Sequence, residues 1–328
     1  MNALVTGATG FIGSVLVRDL MAKGYHVRAL VLPEEKADTL EKQGARIVRG
    51  DLTVPVSLRG ICDDIDTVFH LAGRVTDWGT KQQFYTAIYD ATQNLLREAA
   101  GRASRFVYVS SIAAMGLGRH LKGVKETDPP QKSGVYYNDA KGDTEALVRA
   151  YHGDGKISCT IVRPANVTGP GSVWVRDIVD RLMTPTGVPL IDHGQYSSSF
   201  VFVDNLVDGI ILAGIRDIAS GKAYHFRDDW SVTWKEYITD LGSFIGKRPR
   251  GNIPFKLAWM MGHVLETMLN PLHIRSPLTR LSAGVLGRDN DVDTTLARTE
   301  LGWRTRVSYR EAKVKIGAWV KDNYTGRA

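Results

Sequence analysis

Tyr137 and Lys141 stand four residues apart in the run VYYNDAK, residues 135–141. On a helix that spacing puts both on one face, about 40° apart, whereas Tyr136 and Lys141 diverge by about 140°. Helix geometry therefore selects Tyr137 as the partner of the lysine. The chemistry open to such a pair is proton transfer. A free tyrosine has a pKa of about 10, too high for a base near neutrality. Lowering it by about 3 units takes roughly 4 kcal/mol. One ammonium about 4 Å away supplies about that much at an effective dielectric of 20. The pair alone is common on exposed helix faces, so its meaning depends on what lies upstream.

Upstream, LVTGATGFIGS (residues 4–14) places Gly7, Gly10 and Gly13 at three-residue intervals, with Phe11 and Ile12 between the last two. The segment follows an apolar run and opens an amphipathic one. A pyrophosphate that approaches backbone N–H groups at a helix N-terminus needs this absence of side chains, so the loop predicts a dinucleotide site. RGDLTV ends another apolar run, which sets Asp51 and Leu52 at a sheet edge, Asp51 to accept from an adenine amine and Leu52 to lie against the ring. HLAG (residues 70–73) ends a third run in Leu71, Ala72 and Gly73, small enough for a cofactor to pass close to the backbone. At the end of the second run an acid would indicate NAD and an arginine NADP. Here Val31 and Leu32 are followed by Pro33, Glu34, Glu35 and Lys36, so neither signal is present and the preference stays open.

The elements that must position these residues alternate. Strand-like runs occur at 3–5, 26–32, 45–50, 67–72, 105–110 and 159–164, separated by helical periodicity such as Phe11, Ile12, Val15, Leu16 and Leu20. Another helix is read over 84–101, with Leu95, Leu96 and Ala99 inward and Gly101 as its C-terminal stop. Apolar strands alternating with helices predict an α/β fold with a Rossmann-type doubly wound parallel sheet. After Pro164 the alternation breaks up. Residues 1–164 with about 199–225 are expected to form the dinucleotide lobe, and 165–198 with about 226–328 a smaller, interleaved substrate lobe.

The 328 residues are 43% hydrophobic and 23% charged, an ordinary globular balance. The net charge of +7 is dispersed apart from 247–256 and the C-terminal WRTRVSYREAKVK. Neither run interleaves stacking aromatics, so no nucleic acid partner is expected, and the basic surface suits an anionic cofactor. Cys62 and Cys159 lie in apolar runs and are expected as buried free thiols. No uncharged apolar run reaches about 18 residues, and the first residues enter a strand without a leader pattern, so a cytoplasmic chain is expected. The eight histidines show no ligand spacing, so no metal is expected.

With the glycine loop, Asp51, HLAG, VSSIAAMG and Tyr137-x-x-x-Lys141 in this order, the chain resembles the extended short-chain dehydrogenase/reductases, the NAD(P)-dependent epimerase/dehydratase family. RPANVTGPG and SSFVFVDN extend the likeness over essentially the whole length. The resemblance implies Ser111 as catalytic serine, Tyr137 as acid/base and Lys141 as its activator. It also implies NAD or NADP as cofactor, with Ser110, Tyr137, Lys141, Pro164, Asn166 and Val167 beside it. One departure stands out. Where the family usually carries a supporting asparagine, this chain has Ile88, which argues against a proton relay through that helix.

On substrate, Ser111 is followed by Ile112 and Ala113 rather than by an acid, which argues against dehydration. Ser198 and Ser199 occupy the place of the arginine with which nucleotide-sugar epimerases grip a diphosphate, although Arg176, Arg250 or Arg275 could replace it. Trp78, Met115, Trp174 and segment 253–274 are expected to form an apolar wall. Residues 277–303 resemble the 3β-hydroxysteroid dehydrogenase and ketoreductase branch. The leading expectation is hydride transfer between nicotinamide and a hydrophobic secondary alcohol or ketone (a steroid, β-keto acid or flavonol-like compound). A nucleotide-sugar epimerase and a non-catalytic NAD(P) sensor are the alternatives. For 253–274, a core helix, a homodimer interface and a weak peripheral membrane contact are the open roles.

Overall fold

Seven strands, numbered along the chain, make the central sheet: β1 Asn2–Thr6, β2 His26–Val31, β3 Arg46–Arg49, β4 Thr67–His70, β5 Arg105–Val109, β6 Ser158–Pro164 and β7 Ala223–Phe226. The computed structural model that defines them describes residues 1–324. Their spatial order is β3–β2–β1–β4–β5–β6–β7, and every neighbouring pair is parallel. The chain leaves β1 for one side and β4 for the other, so a crevice opens at the carboxyl ends of these two strands, where open α/β sheets bind ligands. The first six strands are the six apolar runs of the sequence. The seventh, AYHF, is not among the expected strands, because it lies beyond Pro164, where the strand–helix alternation breaks up.

Both faces of the sheet are covered, which is why its strands are apolar throughout. One face packs Leu16, Val17 and Leu20 of helix Phe11–Ala22 together with Leu206, Ile210 and Ile211 of helix Val203–Ile215. The other packs Leu95, Leu96 and Ala99 of helix Ala91–Ala99 and Val148 of helix Tyr136–Gly153. Cys62 and Cys159 are buried free thiols in this second cluster, and burial pushes each up to about 12. The remaining elements form three two-stranded parallel pairs, 166–168 with 200–202, 190–191 with 252–253, and 121–124 with 290–292. The last pair ties the loop after β5 to the C-terminal part of the chain.

Helix Tyr136–Gly153 is seated by a buried ion pair. Glu145 accepts from Arg163 of β6 at 2.6 Å from Nη2 and 2.9 Å from Nε, and the two side chains are 1% and 0% exposed. Tyr137, Lys141 and Glu145 are successive members of one i, i+4 stripe, so this pair fixes the rotation of the helix and the depth of the two residues before it. A buried pair contributes little against an apolar alternative, but removing one partner strands the other charge. Glu145→Ala is expected to cost about 3–5 kcal/mol, a fall in Tm on the order of 10 °C by calorimetry. The double replacement Glu145→Leu with Arg163→Met should recover most of that loss.

Candidate active site

The glycine loop is shaped by two close approaches. Gly7 has φ of 66°, and a Cβ there would lie 2.9 Å from the amide nitrogen of Ala72 in HLAG. A Cβ on Gly13 would lie 2.0 Å from the carbonyl oxygen of Gly7. Gly10 begins helix Phe11–Ala22 with no side-chain cap and no acid in the first turn. The free N–H groups and the positive end of the helix are thus left for an anion, and a Cβ at Gly10 would meet only the Gly7 carbonyl, at 3.1 Å. This cradle fits the pyrophosphate of a dinucleotide. Phe11 packs its ring near Gly169, and Ile12 is half-buried beside it. Leu71 and Ala72 donate their amides to the carbonyl and hydroxyl of Thr6, which locks HLAG against β1. Asp51 takes both the amide and hydroxyl of Thr53 on Oδ1, at 2.8 and 2.7 Å, an Asx turn that leaves Oδ2 unbonded among the described residues. Leu52 is buried, and its carbonyl accepts from Asn94.

His70, at the end of β4, is buried between two hydroxyls. Thr6 Oγ1 lies 2.7 Å from Nδ1 and Thr92 Oγ1 lies 2.9 Å from Nε2, while Thr92 donates to the Ile88 carbonyl at 2.5 Å. Thr92 gives its one proton to the Ile88 carbonyl, so it accepts from Nε2–H of the imidazole, and Thr6 donates to Nδ1. Burial, with Lys141 adding to it, lowers His70 to about 3. The chain of bonds ends at a π-helical turn, Thr86–Asp90, in which Ile88 is buried. Its side chain joins Phe84, Ala140, Tyr85 and Tyr137 in an apolar cluster. The floor beneath Tyr137 is therefore hydrophobic, in keeping with the departure noted at Ile88.

Ser111 follows β5 and caps the turn Ile112–Met115, accepting from the Ala113 amide at 3.1 Å. Asn138 donates to the Ala113 carbonyl at 2.9 Å and so pins that turn to the helix of Tyr137. Burial pushes the Tyr137 phenol above its ordinary pKa, and a hydrogen bond with Ser111 pulls it back down. Lys141 donates to the Val109 carbonyl at 2.9 Å and lies 4.9 Å over the Tyr108 ring. Burial lowers it to about 8, against the pull of Glu145. Lys141 was expected to draw Tyr137 down; in this structure its ammonium is anchored at Val109 and burial of the phenol prevails. Ser110, next to Ser111, keeps a buried hydroxyl without a partner among the described residues. Pro164 ends β6, Asn166 donates to the Ser198 carbonyl at 2.7 Å, and Val167 is half-buried against the core.

In front of Tyr137 lies an open cleft with about 280 Å³ of unfilled space, lined by Trp78, Phe84, Val135, Tyr136 and Leu281, with Glu266, Asn270 and Arg280 at one side. Trp78 and Tyr136 both line this cleft, and Tyr136 is 37% exposed. Met115 and Trp174 do not line it. Met115 is 1% exposed beneath the turn, and Trp174 packs on Trp234 with ring centroids 5.1 Å apart. Segment 253–274 gives the cleft its polar residues Glu266 and Asn270 and turns most of its apolar side chains outward.

Several residues escaped sequence reasoning. Glu35 folds back from the β2 edge, where its carboxylate takes the hydroxyl of Thr9 in the glycine loop and the amide of Leu32 at 3.3 Å. An acid four residues past the strand was the available signal. Arg74, directly after HLAG, is held between the Trp78 and Phe84 rings, 5.5 Å from each, with a buried Nε that has no partner. Arg280 bonds Glu266 through its amide at 2.6 Å and its Nε at 2.7 Å, a contact between positions that no local pattern links.

Residues 3–225 match the NAD dependent epimerase/dehydratase family. The chain belongs to that family. It is an NAD(P)-dependent enzyme of the extended short-chain dehydrogenase/reductase type. It is 32% identical over 317 residues to the 4-hydroxy-2-methyl-3-oxo-4-farnesyl-3,4-dihydroquinoline-1-oxide ketoreductase of Stigmatella aurantiaca, covering 95% of this chain and 94% of that protein. It is 28% identical to the 3 beta-hydroxysteroid dehydrogenase/Delta 5→4-isomerase of Mycobacterium tuberculosis, over 95% and 88% of the two chains. Among solved structures, the UDP-glucose 4-epimerase of Thermotoga maritima superposes with a TM-score of 0.78 at 22% identity, over 98% and 99% of the chains, a likeness of fold.

The family cofactor gives the glycine loop a direct test. Gly13→Ala drives a methyl into the Gly7 carbonyl and displaces the loop. The dissociation constant for NADH, read by fluorescence titration, should rise at least about tenfold, equivalent to about 1.4 kcal/mol, while the melting temperature without cofactor changes far less.

Proposed function

We propose that this enzyme reduces a hydrophobic ketone to a secondary alcohol, with Tyr137 as proton donor. The observation that carries the reading is Tyr137, beside the Ser111 turn, at the wall of a cleft lined by Trp78, Phe84, Val135 and Leu281, with burial pushing its phenol above the ordinary value. Bound NAD(P)H supplies the hydride to the carbonyl carbon. Ser111 orients the carbonyl oxygen, and Tyr137 gives that oxygen its proton as the C–O π bond breaks. A phenol whose pKa is raised by burial holds its proton at neutral pH, which suits the reductive direction. Lys141, one helical turn away, stabilises the phenolate left behind while it is charged. The ketoreductase and hydroxysteroid dehydrogenase relatives support a ketone or alcohol substrate. A diphosphate grip finds little support: Ser198 and Ser199 are both 1% exposed, and Arg275 is committed to Asp77 and Asp177.

NADH or NADPH consumption should be followed with steroid, β-keto acid, flavonol-like and sugar-nucleotide candidates. The expected result is turnover of a hydrophobic ketone, reduced about 10²–10⁴-fold by Tyr137→Phe at an unchanged melting temperature. Epimerisation of a sugar nucleotide without net cofactor oxidation would overturn the reading. Because Lys141 titrates at about 8, kcat/KM for reduction should hold up to that pH and fall above it, as the ammonium loses its proton and the phenolate its support.

The same reading extends to the cofactor. Glu35, at the β2 edge and against Thr9, stands where a carboxylate accepts from the adenosine ribose hydroxyls and repels a 2′-phosphate. NADH should be preferred over NADPH by about tenfold or more in kcat/KM, and Glu35→Gln should narrow that ratio. Equal use of both cofactors by the parent enzyme would rule out this role.

A further inference from the structure

Helix Phe255–Leu269 is seated by Phe255, Ala258, Gly262 and Glu266, yet its opposite side is apolar and bare. Leu257, Met260, Met261, Val264 and Met268 fall within an arc of about 100°, and they are 43%, 58%, 38%, 45% and 64% exposed. Leu272 and Ile274, just beyond the helix, extend the strip at 65% and 50%. A contiguous strip of this kind marks an interaction surface.

The charges around it say what kind. Between Phe244 and Arg288 the one acidic residue is Glu266, which is buried and bonded to Arg280. Lys247, Arg248, Arg250 and Lys256 lead into the helix, all exposed and none in an ion pair among the described residues. His263 and His273 are the exposed histidines of the strip. A two-fold dimer would set this surface against itself and bring its unpaired cations face to face, which costs Coulomb repulsion. Here the apolar side chains are led into by unpaired cations, and the acids at the far end of the strip, Asp77 and Asp177, are bonded to Arg275.

We propose that this face docks on an anionic lipid bilayer. Leu257, Met260, Val264, Met268 and Leu272 enter the boundary between headgroups and acyl chains, and the four cations meet lipid phosphates. Among the described residues no helix is long and apolar enough to cross a membrane. The inner side of the same helix contributes Glu266 to the cleft in front of Tyr137, and Asn270 follows directly. Docking therefore sets that cleft beside the lipid surface, an entry route for a lipophilic ketone. This last point rests on the proposed reductase reading; the docking does not.

The test is co-sedimentation of the full chain with vesicles of phosphatidylglycerol and phosphatidylcholine, and with vesicles of phosphatidylcholine alone. The parent should bind the anionic vesicles and release in 0.5 M salt. Combined Met260→Gln, Val264→Gln, Met268→Gln and Leu272→Gln should lower the lipid partition coefficient at least about tenfold. Lys247→Gln with Arg248→Gln and Lys256→Gln should weaken binding to anionic vesicles alone. Melting temperature and turnover of a water-soluble ketone should be unchanged in both variants. A parent that stays in the supernatant, a strip variant that sediments like the parent, or a parent dimer that the strip variant disperses would each overturn the proposal. Because sedimentation needs no substrate, these outcomes leave the reductase reading untouched, and failure of the substrate screen leaves the docking result standing.

Discussion

The buried pair between Glu145 and Arg163 determines where the chemistry can occur. Arg163 belongs to β6 and Glu145 to the helix that carries Tyr137 and Lys141, so one ion pair joins the sheet to the face that presents them. Two charges at near-zero exposure tolerate no sliding, because any shift that separates them leaves an unpaired ion in an apolar interior. Given that anchor, Lys141 reaches the Val109 carbonyl at the end of β5, and Tyr137 comes to rest against Ser111 just past the same strand.

The cofactor side depends on a second constraint, the absence of side chains. Gly7 lets the loop touch HLAG, and Gly13 lets the helix touch the loop. The two strand ends that frame the crevice therefore meet through backbone, and the first turn of helix Phe11–Ala22 keeps its N–H groups free of any side-chain cap. Polar order continues inward from there, through Thr6, neutral His70 and Thr92 to the Ile88 carbonyl. Beside that chain the Tyr137 floor is apolar, which raises the phenol's pKa and favours its protonated form.

Much of this was legible in the residues. The first six strands, the glycine loop and the placing of Tyr137 and Lys141 on one helix face all follow from local periodicity, because each depends on neighbours within about one or two helical turns. Met115 and Trp174 show the limit. Both are apolar and close in sequence to site residues, but burial beneath the Ile112–Met115 turn and packing on Trp234 depend on partners far along the chain. Glu35 was visible as an acid but not as a neighbour of the glycine loop, since that contact depends on how the loop after β2 folds back to Thr9.

By itself the sequence determined the parallel sheet, the anion-binding loop and the pairing of a tyrosine with a lysine on one helix face, since strand and helix periods dictate these locally. Only the tertiary structure decided the protonation balance at Tyr137 and Lys141, since burial depth sets desolvation and no pattern of neighbours encodes it. It also decided which side of helix Phe255–Leu269 faces the core. The apolar residues of that segment outnumber the places the core offers them, and the packing of Phe255, Ala258 and Gly262 inward left Met260, Val264 and Met268 outside.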